Sequence, residues 1–465
     1  RAKITVDVDS RVTFSPDGGR IAFIRHNPNE GGDTIFVAGS DGSDAAPFLQ
    51  TKEVGFDQFT GVDWSPDGNR LLIGVFKNGV ETQRKISFVT VAMNDKHLEP
   101  FGERGWYGAK SFQWTRDGKG IIVAGKLNSG DNTQVWHLDF PSGVTHQVTT
   151  DTSDYVSVSV SADGATIVAT RVDTISNLQT IDPKTKESRS IVPDNKNLFG
   201  FGGFAESPAG RFLIVKNTGK DPQIFSVAGD GDDERQLTTG TGQNLFPAVS
   251  PDGKFIFFSS SRDGGLFSIW KMNSDGGNPV RMTSAVNVND LHPQLTPDGR
   301  SVIFMRQTSD GGRAQVLRVP IDGGDAVPVV SGDDRSKFYP RLSPDGKSIA
   351  FHTFEYDPKS GSFSSDVRIA AFDGASVDGS VPETSIKINP EFRFAPDGKS
   401  LAYINRAGVP NIWSISLQDR KERPLTEFSN GLITSFGWSR DGKRLLVVRA
   451  TLNSDLVLIK DNTRA

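Results

Sequence analysis

The sequence predicts an all-β fold made of ten copies of one four-stranded unit. Three observations carry this. A short phrase recurs ten times at near-constant spacing, each interval between copies reads as four short strands, and no useful stretch has the 3.6-residue apolar period of a helix.

The phrase is a turn. It occurs as FSPDG, WSPDG, WTRDG, VSADG, a worn ESPAG, VSPDG, LTPDG, LSPDG, FAPDG and WSRDG, centred on Asp17, Asp67, Asp117, Asp163, Ala209, Asp252, Asp298, Asp345, Asp397 and Asp441. Pro presets φ, the Asp carboxylate accepts a nearby backbone N–H, and Gly takes the positive φ that closes a hairpin. In the unit around Asp252, "FPAVS" enters the turn and "KFIFFSS" leaves it. Next come "LFSIWKMNSDGG" and "NPVRMTS". Such β-branched and aromatic runs, cut by Gly, Asp and Pro, are strands joined by hairpins. The third strand carries Trp136, Trp270 and Trp413 at matching positions, with Phe36 and Phe225 elsewhere.

Copies stand 43 to 52 residues apart, the length of a four-stranded propeller blade. The whole chain, 1–465, therefore reads as β-propeller. The final unit, "TSFGWS", "RLLVVRA" and "SDLVLIK", is one strand short, and "AKITVDV" stands as an orphan strand before the first phrase. The expectation is one ten-bladed ring closed by the N-terminal strand. Propellers commonly have about four to eight blades, so two smaller propellers in tandem are the alternative.

Composition narrows the functions. The 465 residues carry net charge −4, against a nucleic-acid or anionic-membrane partner held by bulk electrostatics. No cysteine is present, which excludes thiol chemistry, disulfides and cysteine-ligated zinc and is compatible with an oxidising compartment. No apolar run approaches the ~20 residues that span a bilayer, so no direct membrane insertion is expected. The chain starts at Arg1 without Met or signal segment, which reads as an excised domain or processed product.

The phrase S-P-D-G-(K/R)-x-I-A-F, followed by "IW" and by "RQLTTG" or "RPLTEF", resembles the TolB-type, WD40-like propeller family over essentially the whole chain. The stretch "FGWSRDGKRLLVVRATLNSDLVLIKD" resembles the end of propellers fused to bacterial serine/threonine protein kinases, and "VSVSVSADGATIVATRVDTISNLQTID" resembles a blade of that group. Similar propellers stand behind winged-helix regulators. The kinase resemblance implies an extracytoplasmic (periplasmic or cell-surface) sensor or interaction domain, tethered by a span outside this chain.

Chemistry is sparse. No G-x-S-x-G and no room for a hydrolase domain exist. The six histidines fall at unrelated places and form no ligand spacing. "DGKS" at Asp345 and Asp397 lacks the phosphate-loop Gly, since Arg341 and Arg393 stand there. "GDGDDE", "GSDGSD" and "NSDGG" lack a calcium-loop spacing. They read as third-to-fourth-strand hairpins, with calcium the alternative and no other cofactor expected.

The first strand of each blade lines a propeller's channel. Four residues before the phrase Asp stand Thr13, Asp63, Gln113, Ser159, Ala205, Ala248, Gln294, Arg341, Arg393 and Gly437; two earlier stand His292, Tyr339 and Glu391 in consecutive units. Arg341 and Arg393 read either as a patch for a carboxylate or phosphate or as partners of neighbouring acids such as Glu391. Candidate channel residues are therefore Arg341, Arg393, His292, Tyr339, Glu391, Asp63 and Gln113. Two loops depart from the repeat: "ERGWYGAK", with Trp106 and Tyr107, and "EYDPKSGSFSSD", with Tyr356. Their aromatics read as interface residues or as side chains tucked under the rim. The leading expectation is a non-catalytic platform that binds a protein or small anionic ligand. The alternatives are a propeller hydrolase or lyase with a channel site, and a TolB-like periplasmic scaffold.

Overall fold

A computed structural model describes residues 7–26, 32–76, 85–127, 131–196, 198, 200–218, 221–309, 312–330, 335–357, 362–372 and 384–460. Among them the chain is all β apart from two short helical turns, Thr51–Val54 and Gly200–Gly202. Each phrase forms the hairpin between a unit's first and second strands. In the first copy the Ser15 hydroxyl donates to Asp17 at 2.5 Å and accepts the Arg20 N–H at 2.9 Å, while Asp17 accepts the Gly19 N–H at 3.0 Å. Gly18 sits at φ 71°, and all ten phrase glycines fall between 67° and 75°, a conformation glycine adopts without steric cost. The Ser15 hydrogen bond, with help from the Gly19 N–H, holds the Asp17 carboxyl below its usual range.

Second strands are apolar on both faces because each sheet is covered on both sides: Ile21, Ala22 and Phe23, and likewise Ile349, Ala350 and Phe351, are wholly buried. Each large side chain so buried contributes about 2 kcal/mol. The third-strand aromatics hold one register, with Trp136 opposite Val123, Trp270 opposite Phe258 and Trp413 opposite Tyr403. The fourth strand is fastened by the Thr of the "LT" element. Thr238 donates to Gln223 and accepts the Ile224 N–H; Thr426 repeats this with Asn411 and Ile412.

The ten units do not form one ring. The chain divides into two compact units, Arg1–Asp173 with Asn453–Ala465, and Thr174–Leu452. The first holds three complete four-stranded sheets and the hairpin around Asp163. The second holds five complete sheets and a sixth assembled from both of its ends. There, Leu432–Trp438 pairs with the start of the strand Leu445–Lys460, that strand pairs with Thr166–Ile181, and Ser188–Asn195 pairs with the latter. Leu178, Ile191, Leu446 and Val448 of this composite sheet pack on Phe212 and Ile214 of the next blade. Its other face places Ile181, Phe436 and Leu445 against Ala402 and Ile412 of the preceding one. The six-bladed ring is thus closed.

Two expectations are corrected here. The last blade is completed by two strands, residues 174–181 and Ser188–Asn195, not by one from the N-terminus, and "LLVVRATLNSDLVLIK" is one continuous strand, not two. Of the expected latch "AKITVDV", residues 1–6 lie outside the described residues.

Candidate functional site

All six inner strands of the second unit line one cavity of about 520 Å³. Two rings of side chains face it. The upper ring, six residues before the phrase Asp, is Gly203, Phe246, His292, Tyr339, Glu391 and Ser435. The lower ring, two residues on, is Ala205, Ala248, Gln294, Arg341, Arg393 and Gly437. Within these two rings one side is small residues, beside which Phe204, Phe436 and Trp438 also line the cavity, and the other side is aromatic and charged.

The upper ring is built by a bulge. Pairing slips between Leu245 and Ala248, Leu291 and Gln294, and Phe338 and Arg341. At each slip the lining residue takes a left-handed backbone: Phe246 at φ 53°, His292 at 57° and Tyr339 at 52°. Each costs about 1 kcal/mol or more for a side chain larger than Gly. The cost turns three rings into one row, with Phe246 and His292 centroids 3.9 Å apart and His292 and Tyr339 5.0 Å apart.

In the lower ring Gln294 is spent on structure, its carbonyl accepting the Leu342 N–H of the next blade at 3.0 Å. Arg341 and Arg393 are not. Each donates one Nη1 hydrogen to the carbonyl just before it, Pro340 or Phe392, at 2.8 Å. Arg341 Nε is buried without a partner, and Arg393 stands 5.5 Å over the Phe436 ring. Among the described residues neither guanidinium forms an ion pair. Glu391, the expected partner, is bridged to Arg406 instead. Burial, and then the like charge of Arg393, pushes Arg341 well below the usual guanidinium range; burial brings Arg393 down to about 10. Burial and the two arginines hold His292 neutral.

Asp63 and Gln113 fall in the first unit, in a separate cavity of about 370 Å³. Both hold blades together. Asp63 accepts the Thr13 hydroxyl and the Trp114 N–H at 2.8 Å, and Gln113 accepts the Val160 N–H at 2.9 Å. Burial raises the Asp63 carboxyl to about 6. Trp106 is 1% exposed and packs edge-on against Phe88 and Trp136, so it is a core residue and offers no face to a partner. Tyr107 is half-buried under Lys85. The side chain of Tyr356 lies outside the described residues. In "GDGDDE", Asp233 is engaged by Arg211 and Arg235. Among the described residues no three His, Asp or Glu are grouped to hold a metal, and no helix is long and apolar enough to cross a membrane.

Phe246 is the cavity-lining ring that the sequence reading passes over, and Gln294, named there as a channel position, turns out to hold the next blade. Phe246 was available to it: "FPAVSPDG", "HPQLTPDG" and "YPRLSPDG" write an aromatic ring before Pro in three successive repeats.

The class is thus a β-propeller with an open channel. Residues 178–326, about a third of the chain, match the TolB beta propeller domain. It is 39% identical over 80 residues to the uncharacterized protein Atu1656 of Agrobacterium fabrum, a stretch covering 17% of this chain and 27% of that protein. Over 146 residues it is 25% identical to dipeptidyl-peptidase 5 of Porphyromonas gingivalis, covering 31% of this chain and 20% of the peptidase. These matches thus span about a quarter and a fifth of those proteins. The crystal structure of TolB from Acinetobacter baumannii is similar at a TM-score of 0.38 and 16% identity, over 85% of this chain and 84% of that one.

Proposed function

We propose that this chain is a non-catalytic binding platform whose six-bladed ring takes a small anionic ligand in its channel. The observation that carries the reading is the pair Arg341 and Arg393, set side by side on one cavity wall where, among the described residues, neither forms an ion pair, Glu391 of the same cavity being bridged to Arg406 and favouring their charge only from beyond contact. A partly buried charge left unpaired is costly, and an arriving carboxylate offsets that cost while using the guanidinium fork in its best geometry. The TolB-type repeat supports a protein partner at the rims as well.

For its setting we propose an extracytoplasmic sensor of a bacterial signalling protein, such as a transmembrane serine/threonine kinase. Support comes from the resemblance carried by the C-terminal stretch. Sequencing the coding region upstream of Arg1 tests it: kinase motifs followed by an apolar span support the setting, and their absence removes the kinase.

The channel reading is tested by melting the full chain in acetate and glutarate against chloride at equal ionic strength. The expected result is a carboxylate-dependent rise in Tm that the double variant Arg341→Gln, Arg393→Gln lacks. An equal rise in both proteins refutes the site.

A further inference from the structure

The cavity holds more unspent polar groups than an anion needs. Among the described residues the His292 imidazole and the Tyr339 hydroxyl, both lining the cavity, make no hydrogen bond. A neutral imidazole offers one donor and one acceptor, and a phenol offers the same. These groups stand two residues from the arginines on adjacent strands, in a row of rings whose faces and edges suit C–H contacts. Opposite them stand Gly203, Ala205, Ala248 and Gly437, with the Phe204 ring packed on Gly437, and the cavity of about 520 Å³ has room for a body of some thickness. A bare inorganic anion would use the arginines and leave the imidazole, the phenol and the aromatic row idle. A flat hydrophobic acid would cover the row but leave His292 and Tyr339 desolvated without partners, which costs affinity.

We propose that the ligand is a carboxylate carried on a hydroxylated ring, of the uronic-acid class. Its carboxylate lies on Arg341 and Arg393, its ring lies along Phe246, His292 and Tyr339, and its hydroxyls meet the imidazole and the phenol. This rests on the channel reading above and names the chemistry that the same site selects.

The test is calorimetric titration of the full chain with galacturonate, galactose, cyclohexanecarboxylate and inorganic phosphate. Galacturonate is expected to bind at least tenfold more tightly than each of the other three. Tyr339→Phe and His292→Phe are each expected to weaken galacturonate about fivefold or more and to leave cyclohexanecarboxylate unchanged. Phe fits the second position without new strain, because Phe246 holds the same backbone in the neighbouring blade. If cyclohexanecarboxylate or phosphate binds as well as galacturonate, or if both Phe variants bind galacturonate like the parent, the ligand class is wrong while the anion site stands. If no carboxylate binds and the arginine pair has no effect, both proposals fall.

Discussion

Asp63 and Arg341 occupy the same position in their repeats, four residues before the phrase Asp, and do opposite things. Asp63 reaches across to the next blade and accepts its backbone N–H; Arg341 turns back on its own strand and leaves its charge in the cavity. The first is glue and the second is a site, and each has a stability signature. Burial raises the Asp63 carboxyl to about 6 from an unfolded value of 3.8. The stabilisation linked to its protonation is therefore complete below about pH 3.8 and lost as pH rises through 6, on the order of 3 kcal/mol in all. Asp63→Asn keeps an acceptor for Trp114 without the charge. It is expected to melt higher than the parent at pH 7.5, with the gap closing towards pH 4; a gap independent of pH contradicts the assignment. Arg341→Gln should in turn raise the unliganded Tm by the equivalent of about 1 kcal/mol, because a binding site holds its charge at the expense of stability. A destabilised Arg341→Gln would mark that arginine as structural.

At the scale of elements, most of the fold was legible and one joint was not. The phrase turn, the strand order within each blade, the in-register third-strand aromatics and the acidic hairpins are local chemistry, so the sequence carries them directly. Ring membership is not local. Thr166–Ile181 has no Gly or Pro in sixteen residues, a sign that it cannot fold back as a hairpin. The Asn-Ser-Asp at 453–455 looks like a turn but lies inside a continuous strand. What decides the joint is burial: Leu178, on the half of its strand that closes the ring, is wholly buried among Ile191, Phe212 and Leu446. Leu178→Ala should cost about 3 kcal/mol in urea unfolding. Leu456, 77% exposed on the other long strand, should give less than about 0.5 kcal/mol on the same change. Equal costs would contradict the composite sheet. The candidate site was half legible for the same reason. Arg341, Arg393, His292 and Tyr339 stand in register in the sequence, whereas the structural duties of Asp63, Gln113 and Gln294 depend on the neighbouring blade's N–H, which no single repeat reveals.

On the scale of the whole molecule, ten similar repeats sort into a six-bladed ring and a four-repeat unit through two strands of sixteen residues, each of which contributes to both. The ring carries its own core, closing sheet and cavity within Thr174–Leu452. Residues 174–452 produced alone are therefore expected to melt cooperatively. The most direct test of the account is calorimetric titration of glutarate into the full chain, into residues 174–452, and into the full chain bearing Arg341→Gln and Arg393→Gln. The account predicts saturable binding of equal affinity in the first two and none in the third. Binding that survives loss of both arginines, or that is confined to the full chain, would contradict a carboxylate site in the six-bladed channel.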